Sequence, residues 1–157
     1  MKNHCVWIFG EAKAGKTTTA YNLMQKKLRN YILIDGDKFR QSRTPSLDFS
    51  REGILQNNRE CLRMVKYLLS QEWNVVVSMI TPFKEMREVI KKELKDNCIL
   101  IMLKCGKDVR KERKNFFDSD IGFEEGEFDY TFDTDKLSEE EVRDAILAIM
   151  TEKELIK

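Results

Sequence analysis

The chain has 157 residues, enough for one compact domain, and 41% of them are hydrophobic, as a folded core requires. Lysine and arginine number 28 against 27 aspartates and glutamates, so a net charge of +1 offers no global field for nucleic acid or an anionic membrane. No apolar run approaches the roughly 18 residues of a spanning helix, and the run near the N-terminus lacks the length and cleavage site of a signal peptide.

Residues 4–9 (HCVWIF) form a continuous apolar run that reads as a strand. A glycine-rich turn follows, then a helix-compatible stretch from Lys16 to about residue 29. Residues 31–34 (YILI) make a second strand that ends at Asp35-Gly36-Asp37. From 52 to 71, Ile54, Leu55, Cys61, Leu62, Val65, Leu68 and Leu69 recur at helical steps, one stripe of a long helix. Residues 75–80 (VVVSMI) read as a third strand, and Met86, Val89, Ile90 and Leu94 as an amphipathic helix after Pro82. A fourth strand is expected at 98–103 (CILIML) and a short fifth at 130–132. Ser138 followed by Glu141 is a capping box that opens a last helix carrying Val142, Ile146, Ile149 and Met150. Strands apolar on both faces and separated by helices imply an α/β domain with a parallel sheet covered on both sides. Two stretches, 36–50 and 115–129, show no periodicity and read as ligand loops at the carboxyl edge of that sheet.

Gly10-Glu11-Ala12-Lys13-Ala14-Gly15-Lys16-Thr17 fits G-x-x-x-x-G-K-[ST] and lies between a strand and a helix, as its mechanism requires. The glycines let backbone N–H groups cradle phosphates at a helix N-terminus. Lys16 is expected to reach the β- and γ-phosphates of ATP, and the Thr17 hydroxyl to hold Mg2+. Gly10, Ala14, Gly15, Lys16, Thr17 and Thr18 are therefore the expected ATP-binding residues. Lys13 is an extra cation that either leans over the phosphates or points to solvent.

Asp35 and Asp37 flank a glycine beside this loop. Of two such carboxylates, one can take the acceptor's hydroxyl proton or order the magnesium shell, and the other can fix a substrate group. A plain turn with Asx hydrogen bonds is the competing reading. The segments GEAKAGKTT, LIDGDKFR, DFS, NNRE and VVVSMITPF resemble the adenylylsulfate (APS) kinase family in order and spacing. The match includes the twelve-residue step from Asp37 to Phe49 and the 24-residue step from Asn57 to Thr81. It runs from the phosphate loop to about Arg87 and more weakly to the last helix.

The resemblance implies a three-layer P-loop kinase fold: one domain over 1–157, a five-stranded parallel sheet with flanking helices, and a short lid at about 107–125. It implies Asp35 as the catalytic carboxylate and a magnesium-shell residue, with Asp37 and Arg40 on the acceptor. Phe49 is similar to an aromatic that stacks on the acceptor's base, Asn57 to an acceptor-contacting asparagine, and Arg59 to the basic residue after it. Ile80 and Thr81 stand at the family's Ile-Ser step, so Thr81 inherits the active-site hydroxyl. Arg113 is similar to a basic lid residue that reaches the transferring phosphoryl group.

Two departures bear on the acceptor. The family's arginine three residues before the asparagine is Ile54 here, so either the acceptor carries less charge at that point or another cation such as Arg43 or Arg51 supplies it. The lid is shorter and acidic, with Phe116, Phe117 and Phe123 as candidates to close over the acceptor. In the basic run at 107–114, one or two of Arg110, Lys111, Arg113 and Lys114 are expected to serve the phosphates, Arg113 first. No aromatic platform accompanies them, which argues against nucleic acid. The expected reaction is ATP-dependent phosphorylation of the 3′-hydroxyl of adenylyl sulfate. A cytidine diphosphate derivative for surface polysaccharide modification is the alternative acceptor, and a non-catalytic nucleotide-binding module the alternative class. The expected partner is a small-molecule substrate, and a homodimer is kept open. Cys5, Cys61, Cys98 and Cys105 show no C-x-x-C spacing and read as reduced thiols of a cytoplasmic protein; His4 alone cannot make a zinc site with them.

Overall fold

The computed structural model describes residues 2–26, 28, 30–113 and 122–157. The apolar runs form strands β1 (Cys5–Gly10), β2 (Tyr31–Asp35), β3 (Asn74–Ser78), β4 (Cys98–Lys104) and β5 (Tyr130–Asp133). All pair in parallel, in the spatial order β2-β3-β1-β4-β5. Between them run α1 (Lys16–Lys26), α2 (Gly36–Gln41), α3 (Arg51–Ser70), α4 (Lys84–Leu94), α5 (Lys107–Glu112) and α6 (Glu139–Glu152).

The two-residue period of β1 divides the core into two layers. Cys5, Trp7 and Phe9 face Ile54, Cys61 and Val65 of α3 and Met86 and Ile90 of α4. Val6 and Ile8 face Ala20 and Leu23 of α1 and Val142, Ile146 and Met150 of α6. Each such aliphatic or aromatic side chain contributes about 1.5–3 kcal/mol by leaving water. The central strand is therefore fixed from both sides, and so is the turn that leaves it.

Helix ends follow local chemistry. Ser138 Oγ accepts from Glu141 N at 3.1 Å, the expected cap of α6. Ser50 Oγ does the same for Gly53 N at 3.1 Å and opens α3. The aperiodic stretch from 36 onward is corrected by the structure: its first residues form α2, capped by Asp35, whose carboxylate accepts from Lys38 N. Fewer than two turns cannot show a helical stripe. β3 stops at Ser78 rather than at 80, so Ile80 and Thr81 lie beyond the strand. Cys105 lies just past β4, and all four thiols are free. Among the described residues no helix is long and apolar enough to cross a membrane.

At the opposite edge of the sheet, His4 is buried between Lys2 and Tyr31. Its Nδ1 lies 3.2 Å from the Lys2 carbonyl and its Nε2 2.5 Å from the Tyr31 hydroxyl. The neutral tautomer protonated on Nδ1 satisfies both contacts. Burial pulls the His4 pKa below its ordinary 6.5 and pushes the Tyr31 phenol up. Above pH 6.5 both folded and unfolded histidine are neutral, and His4 adds no pH dependence. Below it, the unfolded chain binds a proton that the fold refuses, so stability falls. The urea midpoint is expected to drop as the pH falls below 6.5, and His4→Gln to remove that drop. An equal drop in both proteins would contradict the assignment.

Candidate active site

A cavity of about 900 Å³ opens at the carboxyl edge of the sheet. The turn after β1 builds one end of it. A Cβ on Gly10 would lie 2.5 Å from the Leu103 carbonyl oxygen of β4, so only glycine lets the chain leave the strand here. Gly15 has φ +99°, and Lys13 holds a left-handed φ of +63° that a side chain rarely accepts.

Side chains hold the loop's carbonyls. Arg110 Nη1 donates to Ala12 O at 3.3 Å, Arg113 Nη1 to Lys13 O, and Thr134 Oγ1 to Ala14 O at 2.9 Å. Lys16 Nζ donates to Glu11 O at 2.7 Å. The first N–H groups of α1 have no intrahelical acceptor and carry the positive end of the helix dipole, which is the chemistry of an anion site. Lys16 keeps part of its surface open to the cavity. Burial of its ammonium nevertheless lowers its pKa to about 8, against the opposing pull of Asp37.

The middle of the cavity is built by the ends of β2 and β3, where Asp35 and Ser78 are register partners. Thr17 Oγ1 donates to Asp35 Oδ2 at 3.1 Å and lies 3.4 Å from Ser78 Oγ. The other oxygen of Asp35 accepts from Lys38 N at 3.1 Å, so the carboxylate is held at both ends. The Asx reading and the functional reading thus fall on one side chain. A hydroxyl and a carboxylate are hard oxygen donors, few in number, the set that suits magnesium with its retained waters and phosphate ligands. Among the described residues no cluster of three or more His, Cys, Asp or Glu offers an all-protein metal cage.

Phe49 stands at the far end of the cavity, 58% exposed, with the Arg40 guanidinium 4.1 Å from its ring centroid. Arg40 is buried, and its Nη1 lies 3.7 Å from Asp37 Oδ1. Asp37 and Ile80 also line this end. Gly10 and Ala14 of the expected ATP-binding set do not line the cavity, and neither do Arg59, Asn57 and Thr81. Arg59 pairs with Glu52 at 3.1 Å, away from the cavity. Asn57 is buried, and neither atom of its amide has a hydrogen-bond partner among the described residues. Thr81 is fully buried; its hydroxyl accepts from Trp7 Nε1 at 3.0 Å and lies 3.3 Å from Met79 O. The hydroxyl that faces the site from β3 is Ser78 instead.

Neither cation expected to stand in at Ile54 reaches the cavity. Arg43 pairs with Glu60 at 3.1 Å, and Arg51 pairs with Glu85 and stacks on Phe83. Ile54 itself is core. Phe123 stacks on Phe9 at 6.2 Å, with the Arg87 guanidinium against both rings, so it ties the chain after residue 122 to the core. Phe116, Phe117 and Lys114 lie outside the described residues. Sequence reading missed the wall opposite α1, made by Thr134, Leu137 and Val142. Its signal was the capping box at Ser138, which fixes where β5 turns into α6 beside the phosphate loop.

The family model described as adenylylsulphate kinase matches residues 2–117. The probable adenylyl-sulfate kinase of Pyrococcus abyssi is 38% identical over 98 residues, 60% of this chain and 56% of that protein. The chain thus spans little more than half the length of that relative. The cytidine diphosphoramidate kinase of Campylobacter jejuni is 30% identical over 148 residues, 82% of this chain and 86% of its own. The solved structure of the Mycobacterium tuberculosis APS kinase in complex with AMPPNP and APS superimposes with a TM-score of 0.78 over 94% of this chain and 98% of that one. Its sequence is 19% identical, so this likeness speaks for the fold.

Thr81→Val separates a buried bond from a catalytic hydroxyl. It leaves the indole N–H of Trp7 without its acceptor, which is expected to cost about 1–3 kcal/mol in urea unfolding. Turnover of the folded fraction should change by less than about threefold, well short of the hundredfold or more of a lost proton-transfer group. A large turnover loss at unchanged stability would return Thr81 to the mechanism.

Proposed function

The chain belongs to the adenylylsulfate kinase family, and on that premise we propose that it is an ATP-dependent phosphotransferase. The γ-phosphoryl group passes to a hydroxyl of a nucleotide-like acceptor, best fitted by the 3′-hydroxyl of adenylyl sulfate. One observation carries this reading. A single cavity has the phosphate loop at one end, the stacked Arg40–Phe49 pair at the other, and Asp35 between them.

Each residue then has a task. The loop N–H groups, Lys16 and Arg113 bind and orient the donor phosphates, and Arg113 meets the charge that develops on transfer. Thr17 and Asp35 are the residues that would hold magnesium. When bound, that ion would supply positive charge to offset that of the donor phosphates. Asp35 takes the proton of the attacking hydroxyl, its orientation fixed by Lys38 N and Thr17. Phe49 offers a face for the acceptor's base, and Arg40 a fixed cation for its anionic tail. The apolar wall of Leu137 and Val142 suits the donor's base. Free thiols and this donor chemistry fit a cytoplasmic setting.

The missing cation at Ile54 favours a second acceptor. The cytidine diphosphoramidate kinase aligns over more of this chain than the Pyrococcus relative does, 82% against 60%. A cytidine diphosphate derivative therefore stands as the second reading.

Coupled ADP release across adenylyl sulfate, cytidine diphosphate derivatives, nucleoside monophosphates and sugar acids tests both. Adenylyl sulfate is expected to give the highest kcat/KM. Activity on the cytidine compound alone would install the second reading, and activity on a sugar acid alone would refute base stacking. Asp35→Asn removes the carboxylate but keeps the helix cap, because asparagine caps a helix as well as aspartate does. Turnover should fall about a hundredfold or more, with MgATP affinity falling far less. Near-normal turnover would transfer the role to Asp37.

A further inference from the structure

Arg110 has no role in the chemistry above, although its guanidinium is one of the best-anchored groups near the site. It comes from α5 and is 7% exposed. Its Nε donates to the Cys105 carbonyl at 3.0 Å, at the end of β4. Nη1 donates to Ala12 O at 3.3 Å, and Nη2 meets Glu11 Oε2 at 2.5 Å. The planar fork therefore spans from the β4 exit to two consecutive residues of the phosphate loop. α5 is itself held, since Gly106 N donates to Asp135 Oδ2 at 2.8 Å.

We propose that the Glu11–Arg110 pair is a positioning strut that sets the donor-binding shape of the phosphate loop from the β4 side. The inference rests on the reading of residues 10–18 as the ATP site. Its physical basis is the geometry of the loop. Lys13 sits at φ +63°, a conformation the residue does not adopt by preference, so neighbours must impose it. Arg113 takes the Lys13 carbonyl and Thr134 the Ala14 carbonyl. The Arg110 fork fixes the two residues that precede them, with a rigidity that a lysine could not match. A buried arginine also needs a counter-charge, and Glu11 is the acid at the mouth of a loop otherwise rich in cations.

Charge and position predict opposite signs, which makes the strut testable. ATP is a polyanion. If Glu11 acted through its field alone, Glu11→Gln would tighten donor binding; if it acts as a strut, the same change loosens it. Calorimetry with MgATP on the wild-type chain, Glu11→Gln, Arg110→Gln and the double variant decides between them, with the melting temperature of each measured in parallel. Each single variant is expected to weaken MgATP binding roughly tenfold, the worth of a charge-assisted bond. The double variant should be no worse than the worse single, as partners in one contact behave. In steady state the donor KM should rise while the adenylyl sulfate KM stays within about twofold, a split that general destabilisation would not produce. Glu11 is 44% exposed at its side chain, so Glu11→Gln remains decisive if Arg110→Gln does not fold. Unchanged or tighter binding in Glu11→Gln overturns the strut, as does additive loss in the double variant. A wild-type chain that fails to bind MgATP overturns the donor reading itself, a distinct result.

Discussion

The site depends on the approach of Gly10 to the Leu103 carbonyl, where the last register pair of β1 and β4 is formed. Both strands are buried on both faces, so neither can shift to admit a side chain at that point. The chain leaves the strand after residue 10 and meets residues that follow β4 and β5. That is why the carbonyls of residues 12–14 fall to Arg110, Arg113 and Thr134, all contributed by the second half of the chain. The phosphate loop is local in sequence, yet its shape is set by long-range contacts.

A second constraint operates one strand pair away. The register of β2 with β3 brings Asp35 level with Ser78, and α1 delivers Thr17 to both. Asp35 caps α2 with one oxygen and meets Thr17 with the other. A carboxylate used in this way loses rotamer freedom during folding, before any ligand arrives. Such preorganisation is what electrostatic and general-base catalysis require, because no reorganisation is then needed at the moment of reaction. The stability of a short helix and the readiness of the site are thus supplied by one side chain.

The fold was largely legible because its strands are apolar on both faces and its long helices carry one clear stripe. What escaped was short or three-dimensional. α2 has too few residues to show a period and was announced only by its cap, Asp35. Gly15, Lys16, Thr17 and Thr18 could be placed at the cavity from spacing alone, because the loop joins a strand to a helix there. The residues expected around the acceptor could not be placed so well. Phe49, Arg40, Asp37 and Ile80 line the cavity, while Asn57, Arg59 and Thr81 do not. Motif position says which stretch approaches the site, but the helical phase of α3 and the exit angle of β3 decide which side chain faces it. Thr81 shows the cost of that gap: three residues past the strand end, its hydroxyl serves Trp7, and Ser78 takes the cavity face.

The same geometry bears on the proposed acceptor. Lys16, Lys13 and Arg113 line the phosphate-loop end of the cavity, and Arg40 stands alone as a cation at the Phe49 end among the described residues. Arg40 is also divided, its face against Phe49 and one nitrogen turned toward Asp37. An arginine at position 54 would add a charge-assisted contact worth about 1.5–3 kcal/mol, but Ile54 is committed to the core. Arg43 and Arg51 are held by Glu60 and Glu85 and do not compensate. If the acceptor binds here as proposed, its affinity would come more from the stacking face of Phe49 than from charge. On the proposed reading, an acceptor bound in this way would be selected first by its planar base, and its anionic tail would meet one cation rather than two.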